Sequence, residues 1–151
     1  MNTLFGDMAK RVEAFDPNKE AILAAVPAKA EIIDFNVEDQ LYEEGIGSKG
    51  KSIGRYQPYT LQRKEAKQAL GIGDGKTSNV TLRDQGDFHS SFDVEFRENE
   101  FEIIARDPKT DKLKQGWGED ILGLTEQNLQ KVKDDFIRPN MQRAFRAKIL
   151  I

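Results

Sequence analysis

No cysteine occurs in these 151 residues, and histidine and tryptophan occur once each, as His89 and Trp117. The missing thiols exclude a disulfide framework and thiol catalysis, and they suit a protein made in a reducing cytoplasm. No stretch approaches the ~20 apolar residues that a membrane span needs. The opening Met1-Asn-Thr-Leu-Phe-Gly-Asp7 is neither basic nor followed by an apolar run. A soluble protein with no membrane partner and no secretory leader is therefore expected. A dominant charge is lacking as well. Lys and Arg number 23 and Asp and Glu 26, a net charge of −3, without the basic excess of a nucleic-acid-binding domain. Repeats and low-complexity segments are also absent.

The length fits a single domain, and a chain of this size buries about 68–70% of its unfolded surface. Leu4, Phe5, Met8, Val12 and Phe15 recur at helical spacing. Asp16-Pro17 reads as a cap followed by a proline at the first helical position, opening a helix to about Ala25. Pro27 restarts or kinks it, and Ile32, Ile33, Leu41 and Tyr42 continue the apolar stripe, so residues 1–44 form a helical part. A glycine-rich loop spans 45–58, with glycines at 45, 47, 50 and 54. The core then occupies 59–151. It begins with a charged helix, Thr60–Leu70, stopped by Gly71, and a second loop from Gly71 to Ser78.

Alternation at Val80 and Leu82 predicts a strand over 79–83, and Gly86 marks a turn. Strands over 89–97 and 100–106 follow, with Glu98-Asn99 at the tip of a hairpin. Phe92, Val94 and Phe96 share one face, and Phe101 and Ile103 share one face opposite. Asp107-Pro108 opens a helical turn through Leu113. Thr125 caps the final helix, with Asn128 at its third position. Pro139 is expected to kink or split that helix after Arg138. Its buried side would carry Ile137, Met141, Ala144, Phe145 and Ile149. The order gives an α+β domain of N-terminal helices, a small antiparallel sheet with a β-hairpin, and a long C-terminal helix.

One motif invites an enzymatic alternative. Gly45-Ile-Gly-Ser-Lys-Gly-Lys51-Ser52 satisfies the phosphate-loop pattern and contains Gly-x-Gly-x-x-Gly spacing. A small nucleotide-binding or hydrolytic enzyme using this Gly45–Ser52 loop is the competing expectation. Its chemistry needs a buried strand before the loop and a helix after it. Here acidic, helical Glu38–Glu44 precedes the loop and Ile53-Gly-Arg-Tyr-Gln-Pro58 follows it. A mobile surface loop is the plainer expectation.

His89 lacks an evident orienting carboxylate, since neighbours Asp87, Ser90 and Ser91 cannot converge from one strand. It reads as a surface or strand-edge residue. The carboxylates Asp84, Asp87, Asp93 and Glu95 match no calcium loop, and Asp84 reads as a turn former. Trp117, between two glycines, is either an interface anchor or a lid over the hairpin. Arg138, Arg143, Arg146 and Lys148 suit the C-terminal end of a helix. No catalytic residue, cofactor or metal ligand is assigned.

The segment Leu82-Arg-Asp-Gln-Gly-Asp-Phe-His-Ser-Ser-Phe92 resembles the Leu-x-Asp-Thr-Gly-x-Leu/Phe-x-x-Ser signature of tail-completion and minor-tail proteins of long-tailed bacteriophages. These are the head–tail connector, or neck, proteins. The phrases Gln115-Gly-Trp-Gly118 and Phe136-Ile-Arg-Pro139 resemble two others of that family, and the likeness spans about residues 30–150. Gln85 stands where the family has threonine, and the Pro139 phrase lacks a second aromatic or alanine.

The resemblance implies a structural virion protein made in the host bacterial cytoplasm. It would join or seal the head–tail junction or the tube end as part of a homo-oligomeric ring. Portal, adaptor or tail-tube proteins would be its partners. DNA would pass through the lumen without specific binding, an idea that Arg138 and Arg143 on the lumen would count against. The 45–58 and 71–78 loops would order on contact with a partner. Interface candidates are Trp117, Arg138, Arg143, Lys51, Arg55 and Tyr56.

Overall fold

The computed structural model describes residues 4–73, 75–84 and 86–149. Gln85 of the signature, Asp74 of the second loop and the side chain of Leu4 lie outside the described residues. The α+β class holds: the described residues form helices and one two-stranded antiparallel sheet.

Helix α1 covers Leu4–Ala14, and α2 covers Pro17–Ala25. The Asp16 carboxylate accepts from the Asn18 and Lys19 amides at 3.0 and 3.3 Å, and Pro17 takes the position where no amide is needed. Pro27 sits in a 3-10 turn, Val26–Ala28, before α3 at Lys29–Asp34. From Phe35 to Glu44 the backbone winds as a π-helix. Its i→i+5 register places Asn36, Val37, Gln40 and Leu41 inside and Asp34, Glu38, Asp39, Glu43 and Glu44 outside. Gly45 ends it at φ 65°, a left-handed conformation, where an added Cβ would lie 2.9 Å from Asn79.

Helix α4 is Pro58–Ala69 and α5 is the single turn Asp87–Ser90. Strands β1, Phe92–Phe96, and β2, Phe101–Ala105, pair with Val94 opposite Ile103 and Phe96 opposite Phe101. Phe96 and Phe101 therefore meet across the strands, as the alternation predicts. Helix α6, Thr110–Trp117, runs four residues beyond the expected turn.

Helix α7, Glu126–Val132, starts where Thr125 Oγ1 accepts from the Asn128 amide at 3.1 Å. It passes through a π segment, Lys133–Ile137, into α8, Arg138–Ile149. Pro139 does not split the helix. The Arg138 amide reaches back to the Lys133 carbonyl, and this wider turn lies just ahead of the residue that has no N–H to give. On α8 only Ile149 is fully buried, and Phe145 is partly exposed, its ring edge-on to Phe15 at 5.2 Å.

Two other expectations fail. Residues 79–83 form no strand, and 89–91 are not extended. Val80 and Thr81, adjacent in sequence, are both buried, and Leu82 takes φ 56°, which a ladder does not tolerate.

Ile32, Leu41, Ile121 and Val132 are fully buried at the centre, with Phe88, Phe92, Val94 and Ile103 around them. Polar side chains cross this core. Asn36 Nδ2 donates to the Ile121 carbonyl at 3.0 Å, and its Oδ1 accepts from the Gly123 amide at 2.7 Å. Gln40 Nε2 donates to the Gly123 carbonyl at 2.8 Å. Gln40 Oε1 accepts from the Thr125 amide and from Asn128 Nδ2, each at 2.9 Å. Gln40→Ala is predicted to cost about 3 kcal/mol, because buried partners lose their bonds. Exposed Gln127→Ala should change stability by less than about 0.5 kcal/mol. Urea denaturation of both variants measures the difference.

On the hairpin, hydrogen bonds from Lys29, the Val94 amide and Arg106 hold the Asp93 carboxyl at about 2, below its ordinary 3.8. A depressed folded value makes the stabilisation complete above the unfolded pKa and progressively lost as pH falls through the folded one. Asp93→Asn should therefore lower the urea midpoint at pH 7. The gap from the unsubstituted protein should close between about pH 4 and 2. A gap that stays constant down to pH 2 would contradict this account.

Candidate functional site

The signature segment is held by side chains rather than by a strand partner. Tyr56 Oη accepts from the Thr81 and Leu82 amides at 2.9 and 3.3 Å. Lys64 Nζ donates to Thr81 Oγ1 and to the Lys76 and Arg83 carbonyls at 3.3–3.4 Å, and it lies 4.8 Å from the Tyr56 ring centre. His89 Nε2 is 2.7 Å from the Thr81 carbonyl. A carbonyl only accepts, so that nitrogen carries the proton. His89 is thus a buried structural residue, not a surface or strand-edge one, with Phe88 and Phe92 beside its ring. The helical turn Asp87–Ser90 turns it inward.

These ties shape a cleft of about 590 Å³ between α4, the signature segment and α6. Its apolar surface comes from Leu82, Phe88, Leu113 and Trp117. Six cations line it, Arg55, Arg63, Lys64, Lys67, Arg83 and Lys109, against two carboxylates, Asp84 and Asp87. Lys67 is paired with Asp84 at 2.7 Å, Lys64 serves the carbonyls above, and Arg83 lies over the Tyr42 ring. Arg55 and Lys109 are exposed at the rim, and Arg63, also exposed, lies over the Tyr59 ring. In a chain of net charge −3 this is a local cationic surface.

The interface candidates named from the sequence fall in three places once folded. Arg55, Tyr56 and Trp117 meet in the cleft, with the Tyr56 and Trp117 rings edge-on at 6.0 Å. Trp117 packs against Gly54 and Tyr56 and also against the buried core that includes Phe92, Val94 and Ile103. Arg138 pairs with Asp134 at 3.1 Å, and Arg143 bonds Asn140 on the same helix. Lys51 stands apart on the 45–52 turn. Arg63, Lys64 and Lys109 were missed, although cations at 63, 64 and 67 recur at helical spacing on α4.

The glycine-rich loop follows a helical segment, not a strand, and its backbone bonds within the chain. Ile46 and Ser52 form an antiparallel bridge, and the Gly47 amide donates to the Lys51 carbonyl at 3.0 Å. The Gly50 amide donates to the Gly47 carbonyl, and the Ser48 amide to the Asp120 carbonyl at 2.7 Å. Gly47 is buried so closely that an added Cβ would lie 2.7 Å from the Asp120 carbonyl oxygen. The amides at 47, 48 and 50 are thus directed at this chain's own carbonyls. Residues 45–53 are bonded within the chain itself. No group of three His, Asp or Glu side chains among the described residues is placed to hold a metal ion. No helix among them is long and apolar enough to cross a membrane.

Tyr56→Phe is predicted to cost about 1–3 kcal/mol, because two backbone amides lose their acceptor. Lys51→Ala, on the exposed turn, should lie within about 0.5 kcal/mol of the unsubstituted protein. Thermal and urea unfolding of the pair checks the contrast. Compared with protein-family models, curated proteins and solved structures, the chain has no match in any of the three.

Proposed function

We propose that the protein is a structural component of a tailed-phage virion, a neck or tail-completion subunit acting as part of a closed ring. The resemblance of Leu82–Phe92 to the neck-protein signature points to the class. The observation that carries the assembly reading is two separate sets of exposed large apolar side chains. On the first helices Phe5 is 81% exposed and Val12 49%, followed by Leu23 at 51%. Around α4, Tyr59 is 70% exposed and Leu70 77%, with Ile72 beyond them. Large apolar side chains this exposed, on separate elements, suit a head-to-tail interface between copies. Each copy sets its α1–α2 patch on the α4 patch of the next, and a closing rotation makes a ring.

DNA would pass through the lumen without specific binding. Portal, adaptor or tail-tube proteins would bind above and below the ring. The 45–52 turn gives a nucleotide reading no support at Gly47, Ser48 and Gly50, whose amides donate to carbonyls of this chain.

Cryo-electron microscopy of the particle, focused on the neck, is expected to show a ring fitted by this chain, and its absence from the particle would overturn the virion assignment. In solution, Phe5→Glu and Leu70→Glu should each abolish rings. Mixed together they should form one-to-one dimers that grow no further, because each retains one intact patch. Native mass spectrometry distinguishes these species.

A further inference from the structure

We propose that the cationic cleft receives the acidic helix of a neighbouring copy. Resting on the ring reading above, this names the polar half of the interface. Between Lys29 and Lys49 the chain carries six carboxylates and no Lys or Arg. Asp34, Glu38, Asp39, Glu43 and Glu44 are exposed, at intervals of four and five that π-helical winding stacks along one side. Glu43 lies 3.6 Å from Lys76 of its own chain. Asp34, Glu38 and Asp39 form no ion pair with a cation among the described residues. The cleft offers the complement: Arg55, Arg63 and Lys109 at an exposed rim, more cations than its own carboxylates match.

Along the chain, both surfaces adjoin exposed apolar residues already described. Arg63 stands on α4 between Tyr59 and Leu70, and Asp34 follows the α2 helix of Leu23 by one turn and a short helix. Complementary charges beside apolar contacts steer encounter and fix register. A duplex backbone is a poorer occupant. The apolar part of the cleft lining, Leu82, Phe88, Leu113 and Trp117, gives a row of phosphates no partner.

The test uses the full chain as an equal mixture of unlabelled and nitrogen-15-labelled protein, joined by a zero-length carbodiimide and mapped by mass spectrometry. Mixed-isotope links from Lys109 to Glu38 or Asp39 are expected. Lys109→Arg should remove those links yet leave the oligomer intact. Arg55→Glu with Arg63→Glu should weaken self-association about tenfold or more, close to 1.4 kcal/mol. Adding Glu38→Lys and Asp39→Lys in the same chain should restore it.

If mixed-isotope links form only elsewhere while rings persist, the cleft assignment falls and the ring stands. A monomer by sedimentation with no mixed-isotope links overturns both. Tight binding of random-sequence duplex at physiological salt, lost on Arg55→Glu with Arg63→Glu and without links to Glu38 or Asp39, would assign the cleft to nucleic acid and overturn the proposal.

Discussion

Two carboxamides hold the halves of this molecule together. Asn36 and Gln40 project from the first π segment and bond the backbone of residues 121–125, more than 80 positions away. Side-chain amides here do what a neighbouring strand does elsewhere, giving a donor and an acceptor to each peptide they meet. A buried amide without partners costs far more than a satisfied one contributes, so the bonds select one arrangement of the two halves. The fully buried Ile32, Leu41, Ile121 and Val132 pack around this clamp. Hydrophobic burial supplies drive, and the carboxamides supply register.

The same clamp gives the π winding a role. The two amides are four residues apart, and the segment that carries them must also bury Ile32 ahead of them and Gly45 behind. With i→i+5 bonding, positions 32, 36, 37, 40, 41 and 45 stay on one side while the acids stay on the other. Register with the 121–125 backbone, rather than local propensity, explains why the wider winding is tolerated. A similar segment at Lys133–Ile137 precedes Pro139, where a missing N–H already interrupts the ladder. These departures from α geometry sit where tertiary bonding or proline requires them.

Much of the architecture was legible for local reasons. Asp16 with Pro17, and Thr125 before its helix, advertise caps, and the hairpin shows its alternation in Phe92, Val94, Phe96, Phe101 and Ile103. The segment at 79–83 misled because two buried residues of an irregular stretch, bonded by Tyr56, Lys64 and His89, imitate the composition of a strand. Each of those bonds joins positions 8 to 26 residues apart. No window short enough to show periodicity contains them all. The burial of His89 was hidden for the same reason. The cleft was half visible: α4 displayed its cations, whereas Lys109 and Trp117 reach it only through the turn that α6 makes after the hairpin.

The glycine-rich turn shows how a motif and its chemistry come apart. A phosphate loop works because its amides have no carbonyl to bond and a helix N-terminus lies behind them. Here a helix comes before the loop, and its end presents carbonyls rather than amides. Gly45 reverses the chain, the Ile46–Ser52 bridge closes it, and Ser48 reaches the Asp120 carbonyl. Glycine is required at 45 and 47 by backbone angle and by close approach to neighbours, which are packing demands. Identical letters can therefore arise from a need to fit against residues 118–123 as readily as from a need to cradle an anion. Which need operates is settled by where the amide hydrogens go.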